Sequence, residues 1–535
     1  MILGDSSGVG RATVSSITIS GTGTANAIVG GNSANSTLTI NTSTTTGSFA
    51  GAIGGTGTNN NNINLIKTGS GTFNLQGFND TYSGTTNVQQ GTLEVEVLGA
   101  AFSPATTVVL GNGSNSGVLQ LGEGFVAGDD FISGLSTSGT GTANAIVGGS
   151  SLTSTLVYQS VTSGSFAGTI GGTGTNNNNL SLLVFIEGTL DLTGNNTYTG
   201  ATGVDFGNLQ IGGGGSIGGT AGTALSIGYN TAGGNQLILG DGSGIGTATL
   251  SSLTVYGTGT GYAVVGGNSA DSNLIITGSG SSTFTGAIGG TGTNNNNINL
   301  IKNGSGSFEV SSAGATTYTG TTTINAGTLT IDTTSSTSMV TVNGGALLLA
   351  TGGSVASASA VNLTASGATL DISNGVNQTI QDLSGVSGTT VYLGGNTLTE
   401  GTSNSTSFAG TLSGSPGSGF IKQGTGTFTF TGQIPFGGLL FGFNGGIFNS
   451  GTSGDLSTSS GISFGGGTLQ YSAADKTDYS GLIVNSTGAI SIDTNGQVVT
   501  FVGALAASNS GGLTKLGTGT LTLSGSNQYT GTTTL

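Results

Sequence analysis

The sequence predicts an all-β solenoid, a single elongated rod of stacked coils, and three observations predict it. Its 535 residues include 108 glycines but only 3 prolines, and just 5% of them are charged. The chain repeats itself at a long fixed step. Within each repeat, apolar and polar residues alternate with period two, as half-buried strands require, and no helical periodicity competes.

Composition favours a stack over a globule. At 34% hydrophobic the chain lies below the usual apolar fraction, and a compact reading would need several cores that this composition could hardly fill. A solenoid coil needs only a few inward Leu, Ile, Val or Phe, because the coils above and below supply the rest of the burial and the hydrogen bonds. Disorder would show few β-branched residues and no regular alternation; this sequence departs from it on both counts.

Missing residue types exclude whole classes of chemistry. Without His there is no imidazole base or zinc ligand, and without Cys there is no thiolate nucleophile, disulfide frame or metal thiolate. No cofactor and no metal site are expected. The net charge of −15, from 21 acidic and 6 basic residues, gives no footprint for nucleic acid or an anionic membrane surface. The start Met1-Ile2-Leu3-Gly4-Asp5 has neither the basic residues nor the apolar run of a signal peptide. No run approaches the ~18 apolar residues of a transmembrane helix, so no membrane insertion is expected within this segment.

The repeat is read from three marks. Leu3-Gly4-Asp5, Leu121-Gly122-Glu123 and Leu239-Gly240-Asp241 stand 118 residues apart. TANAIVGG from Thr24 recurs from Thr142 and, as TGYAVVGG, from Thr260; TGTNNNN recurs from Thr56, Thr173 and Thr291. Phe-x-Gly-x-[Ile/Leu] occurs at Phe49, Phe166, Phe284, Phe408 and Phe501. Five superrepeats follow: 1–118, 119–236, 237–354, a diverged 355–431 and a diverged, truncated 432–535. A 118-residue period is too long for one turn and divides into about six coils of roughly 20 residues.

Local alternation supplies the strands. Phe73 and Leu75, Leu190 and Leu192, Leu329 and Ile331, Phe428 and Phe430, and Leu521 and Leu523 each flank one polar residue. In Leu93-Glu94-Val95-Glu96-Val97 the same rule puts both glutamates outward. Gly-Thr-Gly, Asn-Gly and Ser-Gly pieces between the runs supply corners.

A second recurring string, Lys-x-Gly-[Ser/Thr]-Gly-[Ser/Thr]-[Phe/Leu], begins at Lys67, Lys302, Lys422 and Lys515; the second superrepeat reads Phe185-Ile186-Glu187-Gly188 instead. Leu513 to Leu535, LTKLGTGTLTLSGSNQYTGTTTL, closely resembles the autotransporter-associated β-strand repeat, also called the passenger-associated transport repeat. Lys67 to Val95 and Lys302 to Ile331 resemble it too, and Glu187 to Ile211 is a worn copy that keeps Tyr198-Thr199-Gly200. The fourth superrepeat breaks off after Phe430-Thr431-Gly432 and runs into the Gly- and Phe-rich stretch Phe436 to Phe448.

The resemblance implies a right-handed parallel β-helix in a secreted bacterial passenger, normally upstream of an outer-membrane β-barrel. It implies no single activity, since such passengers include adhesins, aggregation factors and enzymes. With no barrel present and the last copy stopping at Leu535, the chain reads as a fragment, anchored at the outer membrane through a region outside it. Met1 reads as an internal residue.

Few candidate sites remain. The repeated lysines read as corner residues that bond carbonyls or cover an apolar edge with their stems. The adjacent carboxylates Asp129 and Asp130 are the candidates for a polysaccharide-processing pair, but on a strand they point to opposite faces. The runs Asn59 to Asn62, Asn176 to Asn179 and Asn294 to Asn297 read as turns, with a calcium or glycan site as the alternative. Asp475, Asp478, Tyr471 and Tyr479 form the densest charged and aromatic cluster, a candidate glycan contact. The expected function is a non-enzymatic structural or adhesive stalk on the bacterial surface, with glycans or further copies of itself as partners. The alternatives are a polysaccharide-active β-helix and a stalk that only assists secretion.

Overall fold

Alternation along the chain becomes burial in the computed structural model. It describes all residues except 21–24, 44–45, 78–79, 97–101, 229–233, 258, 260, 312–315, 436 and 453–455, and only the backbone of Ile186. Thr24, Val97, Thr260 and Phe436, named above, therefore lie outside the described residues. In strand Thr107–Leu110 the residues alternate half-buried and buried, and strands Gln236–Leu239, Thr328–Ile331 and Thr427–Phe430 do the same. The described helix is one short 3-10 turn, Ser480–Leu482, so none among the described residues is long and apolar enough to cross a membrane.

The chain divides into two compact units, residues 1–278 with 286–298, and 279–285 with 299–535. Each is a β-solenoid of parallel strands. In the first, Leu38, Leu65, Thr86, Val108 and Leu135 lie side by side on successive coils. In the second, Phe308, Leu329, Leu347, Leu370, Val391 and Leu412 do so. Burying each such Leu or Val is worth ~1.5–3 kcal/mol, and every coil covers its neighbour's apolar edge.

Coil lengths depart from the uniform value of about 20. In the first unit the step is 20 residues from Thr72 to Thr92 but 27 from Leu38 to Leu65 and from Val118 to Ala145. In the second it is 18 from Leu329 to Leu347 and 23 from Ile492 to Lys515. A parallel stack constrains the strand positions and leaves the connecting corners free to vary.

The Leu-Gly-[Asp/Glu] mark is one of these corners. Gly4, Gly122 and Gly240 have φ of +79°, +76° and +87°, which a side chain would disfavour. The next residue opens a tight antiparallel turn, Asp5 with Gly8, Glu123 with Val126, and Asp241 with Gly244. Asp5 Oδ1 accepts the Ser7 N–H at 2.8 Å, and Asp241 Oδ1 the Ser243 N–H at 2.7 Å, an Asx turn at the same place in the first and third copies.

Candidate functional site

The repeated lysines point inward. Lys67, Lys302 and Lys422 are buried, and each turns its ammonium back onto carbonyls of the glycine turn that follows it. Lys67 Nζ donates to Thr68 O at 2.9 Å, Gly69 O at 2.8 Å and Gln90 O at 3.1 Å. Lys302 Nζ donates to Gly304 O, Lys422 Nζ to Gln423 O, and Lys515 Nζ to Leu516 O at 2.8 Å and Gly517 O at 2.9 Å. A buried cation is costly unless carbonyls replace its water. Burial pushes the Lys67 ammonium down to about 8.

In the second copy Val184 takes the lysine's place, in register with Tyr158 as Lys67 is with Ile40, and the backbone runs as one strand from Leu180 to Leu192. At Lys67 and Lys422 the chain instead breaks between strands Ile63–Thr68 and Thr72–Leu75, and between Gly419–Lys422 and Thr427–Phe430.

The phenylalanine motif is a packing device. Phe49, Phe166, Phe284, Phe408 and Phe501 are all buried. A Cβ on Gly410 would sit 2.6 Å from the Thr389 carbonyl oxygen and 2.7 Å from the Phe408 ring. At Gly51 it would meet the Phe49 ring at 2.5 Å. Glycine two places after Phe therefore lets the ring fold under its own backbone.

A third device had no assigned role in the sequence. In Tyr-[Thr/Ser]-Gly-x-Thr the tyrosine hydroxyl meets the threonine four residues on. The Tyr82–Thr86, Tyr198–Thr202, Tyr318–Thr322 and Tyr529–Thr533 oxygens are 2.6, 2.8, 2.7 and 2.6 Å apart. Thr86, Thr202 and Thr322 are buried in the coil interior, where a lone hydroxyl would be costly. Two residues before the tyrosine, Asp80, Asn196 and Asn527 accept the N–H groups of Ile53, Ile170 and Leu505 at 2.6, 2.8 and 2.9 Å. Those three close the Phe-x-Gly-x-[Ile/Leu] motif on the coil before, so the two motifs are halves of one contact.

The candidate sites fare differently. Asp129 is exposed and Asp130 buried within strand Asp129–Ile132, so they face apart. The asparagine runs are turns whose amides serve the fold. Asn61 Oδ1 accepts the Gly55 N–H at 2.8 Å, and Asn178 and Asn296 accept those of Gly172 and Gly290 at 2.9 Å. Among the described residues no group of three or more acidic side chains could hold a metal ion.

The glycan-contact candidates need correcting. Tyr471, Tyr479 and Asp475 are each 0% exposed. Tyr479 Oη donates to Asp475 Oδ2 at 2.7 Å, Tyr471 Oη donates to Thr477 O at 3.1 Å, and the two rings stack at 6.1 Å. Only Asp478 is exposed, and it accepts the Ser480 and Val502 N–H groups at 2.9 and 2.7 Å. Inward alternation of the tyrosines closes both ring faces to a sugar.

The glutamate expectation also changes. Glu94 does stand outside the coil, but it is only 7% exposed, covered by an amide ladder. Gln120 Nε2 donates to Glu94, while Asn74 Nδ2 reaches Glu96 at 3.0 Å and Glu123 at 2.8 Å. Burial, then Glu123 and Glu96, pushes the Glu94 carboxyl up to about 7. Glu400 is 1% exposed, in register with Lys422. Burial pushes it up to about 8, against the pull of the Lys422 ammonium.

Two surface recesses lie in the second unit. One, of about 290 Å³, has Gly419, Gly442 and Gly461 on its floor and Ile421, Leu440 and Val484 around it. The other, of about 310 Å³, is lined by Asp371, Ser373, Tyr392, Ser413 and Ser415 with two glycines. Sequence reasoning passed over Tyr392, although alternation in Thr390-Val391-Tyr392-Leu393 already puts that ring outward.

Residues 65–95, 187–211, 300–331, 420–438 and 513–535 match the family described as passenger-associated-transport repeat. These stretches carry the four lysines and the four tyrosine–threonine pairs. Over 328 residues, 58% of this chain, the sequence is 31% identical to the adhesin BmaC autotransporter of Brucella suis biovar 1 (strain 1330). The chain spans 8% of that relative's length. No solved structure matches.

Proposed function

We propose that this chain, a carrier of passenger-associated-transport repeats, is part of a surface-displayed autotransporter passenger and acts as an adhesive stalk. The observation that carries the reading is where the repeated chemistry goes. The lysines, phenylalanines and tyrosine–threonine pairs that define the repeat are turned into the coils, so they serve stacking, and what faces solvent is a ladder of hydroxyls and amides. Asn303, Asn325, Asn343 and Thr364 form one such row, with side-chain bonds of 2.7, 2.7 and 2.5 Å from coil to coil. Similarity to an autotransporter adhesin over 58% of the chain supports the same reading.

Such a surface binds by many weak polar contacts added along the stack. Secretion to the cell exterior follows from the passenger reading. Beads coated with the 535-residue chain test it: they should clump or be retained on bacterial or host-cell surfaces. Dispersed, unretained beads together with cleavage of a polysaccharide would instead favour an enzyme.

A further inference from the structure

Tyr392 is 44% exposed, whereas Tyr158, the other tyrosine in a described strand, is buried. It stands between Asp371 on the preceding coil and Ser413 on the next, in direct register. Immediately after it the register to the next coil shifts, and Gly394, at φ +58°, pairs with Gly414. Gly394 and Gly414, paired on consecutive coils, carry no side chain next to the ring, and the recess of about 310 Å³ lies there. The Ser373 N–H donates to Asp371 Oδ1 at 2.8 Å, which fixes the carboxylate at the edge of the recess.

The lining selects its ligand by chemistry. An aromatic face takes the C–H side of a sugar ring, and a carboxylate with neighbouring hydroxyls takes its O–H groups. The volume lies at the lower end of that of small-molecule sites, ~300–1,000 Å³. No basic side chain lines the recess, so an anionic ligand would meet Asp371 without a counter-charge. An apolar ligand would strip water from the carboxylate and the hydroxyls of Ser373, Ser413 and Ser415 without replacing it. We propose that this recess is a subsite for one neutral pyranose unit of a glycan. The proposal rests on the adhesive reading and names its ligand class.

Saturation-transfer NMR on the full chain tests it, with neutral gluco-, galacto- and manno-oligosaccharides, free N-acetylneuraminic acid and choline as probes. At least one neutral oligosaccharide should receive saturation, and N-acetylneuraminic acid and choline should not. Tyr392→Ala and Asp371→Ala should each weaken that binding about tenfold. Circular dichroism and melting of Tyr392→Ala should match the parent, since the ring is outward. Transfer to choline or N-acetylneuraminic acid alone, to no neutral sugar, or undiminished in Tyr392→Ala would overturn the subsite. Bead adhesion by the same variant separates the two readings: adhesion persisting when no neutral sugar binds the parent removes the subsite and leaves the adhesive stalk standing.

Discussion

A hydroxyl inside an apolar coil must be bonded, and the repeat solves this by placing tyrosine four residues before threonine. In Tyr198→Phe the Thr202 hydroxyl would lose a partner at 2.8 Å. The expected cost is ~1 kcal/mol, measured as faster amide exchange around Thr202. Gly410→Ala should cost more, ~1–3 kcal/mol in urea unfolding, because its Cβ would press on both the Thr389 carbonyl and the Phe408 ring. Tyr-x-Gly-x-Thr and Phe-x-Gly were visible as strings. Their function was not, because a string does not say that Asn196 on one coil accepts the N–H of Ile170 on another.

Charge adds a pH dependence at the same scale. The Glu400 carboxyl is pushed up from 4.5 to about 8, and Glu94 from 4.5 to about 7, chiefly by burial. Both bind a proton more tightly when folded, so their contribution is complete below the unfolded value and is lost as pH rises through the folded one. Melting temperature should therefore fall from about pH 5 to about pH 8. Lys67, pushed down to about 8, works in the opposite sense but only above that window. Glu400→Gln should flatten the slope and raise stability at pH 8, by an amount on the order of a few kcal/mol. A parent whose stability rises across this range would contradict the burial of these carboxyls.

At the scale of the element, each strand is held by the strands above and below. The second unit shows this where phenylalanine replaces Leu and Val. Phe448 packs against Phe428, Phe441 and Phe443, with ring centroids 5.7, 5.8 and 4.7 Å apart. Phe448→Ala should cost ~3–5 kcal/mol. In a stack of nearest-neighbour contacts the loss should stay local, so hydrogen exchange should quicken in strands Thr427–Phe430, Leu440–Phe443, Ile447–Ser450 and Thr468–Gln470 and remain unchanged around Leu329. Strand positions were legible because period two is written in side chains. Coil lengths were not, since a corner of one or seven extra residues satisfies the same ladder. The glycan-contact candidates failed for a related reason: clustering of Asp475, Tyr471 and Tyr479 in sequence says nothing about which face they take, and the structure turns all three inward. Tyr392, isolated in sequence, is 44% exposed.

For the whole molecule, the division of labour between inside and outside is what the proposed adhesive function rests on. Residues that define the passenger-associated-transport repeat are committed to stacking, and the outward rows of Thr, Ser and Asn are left to meet a surface. On the adhesive reading proposed above, each row binds weakly and retention grows with the number that engage together. Retention of the full chain on immobilised cell-surface glycan, measured as a function of its density on a sensor or bead, tests this most directly. The account predicts weak binding by the lone chain and retention that climbs by ~10²–10⁴ as neighbours are added. Tight binding independent of density, or turnover of the glycan, would contradict it.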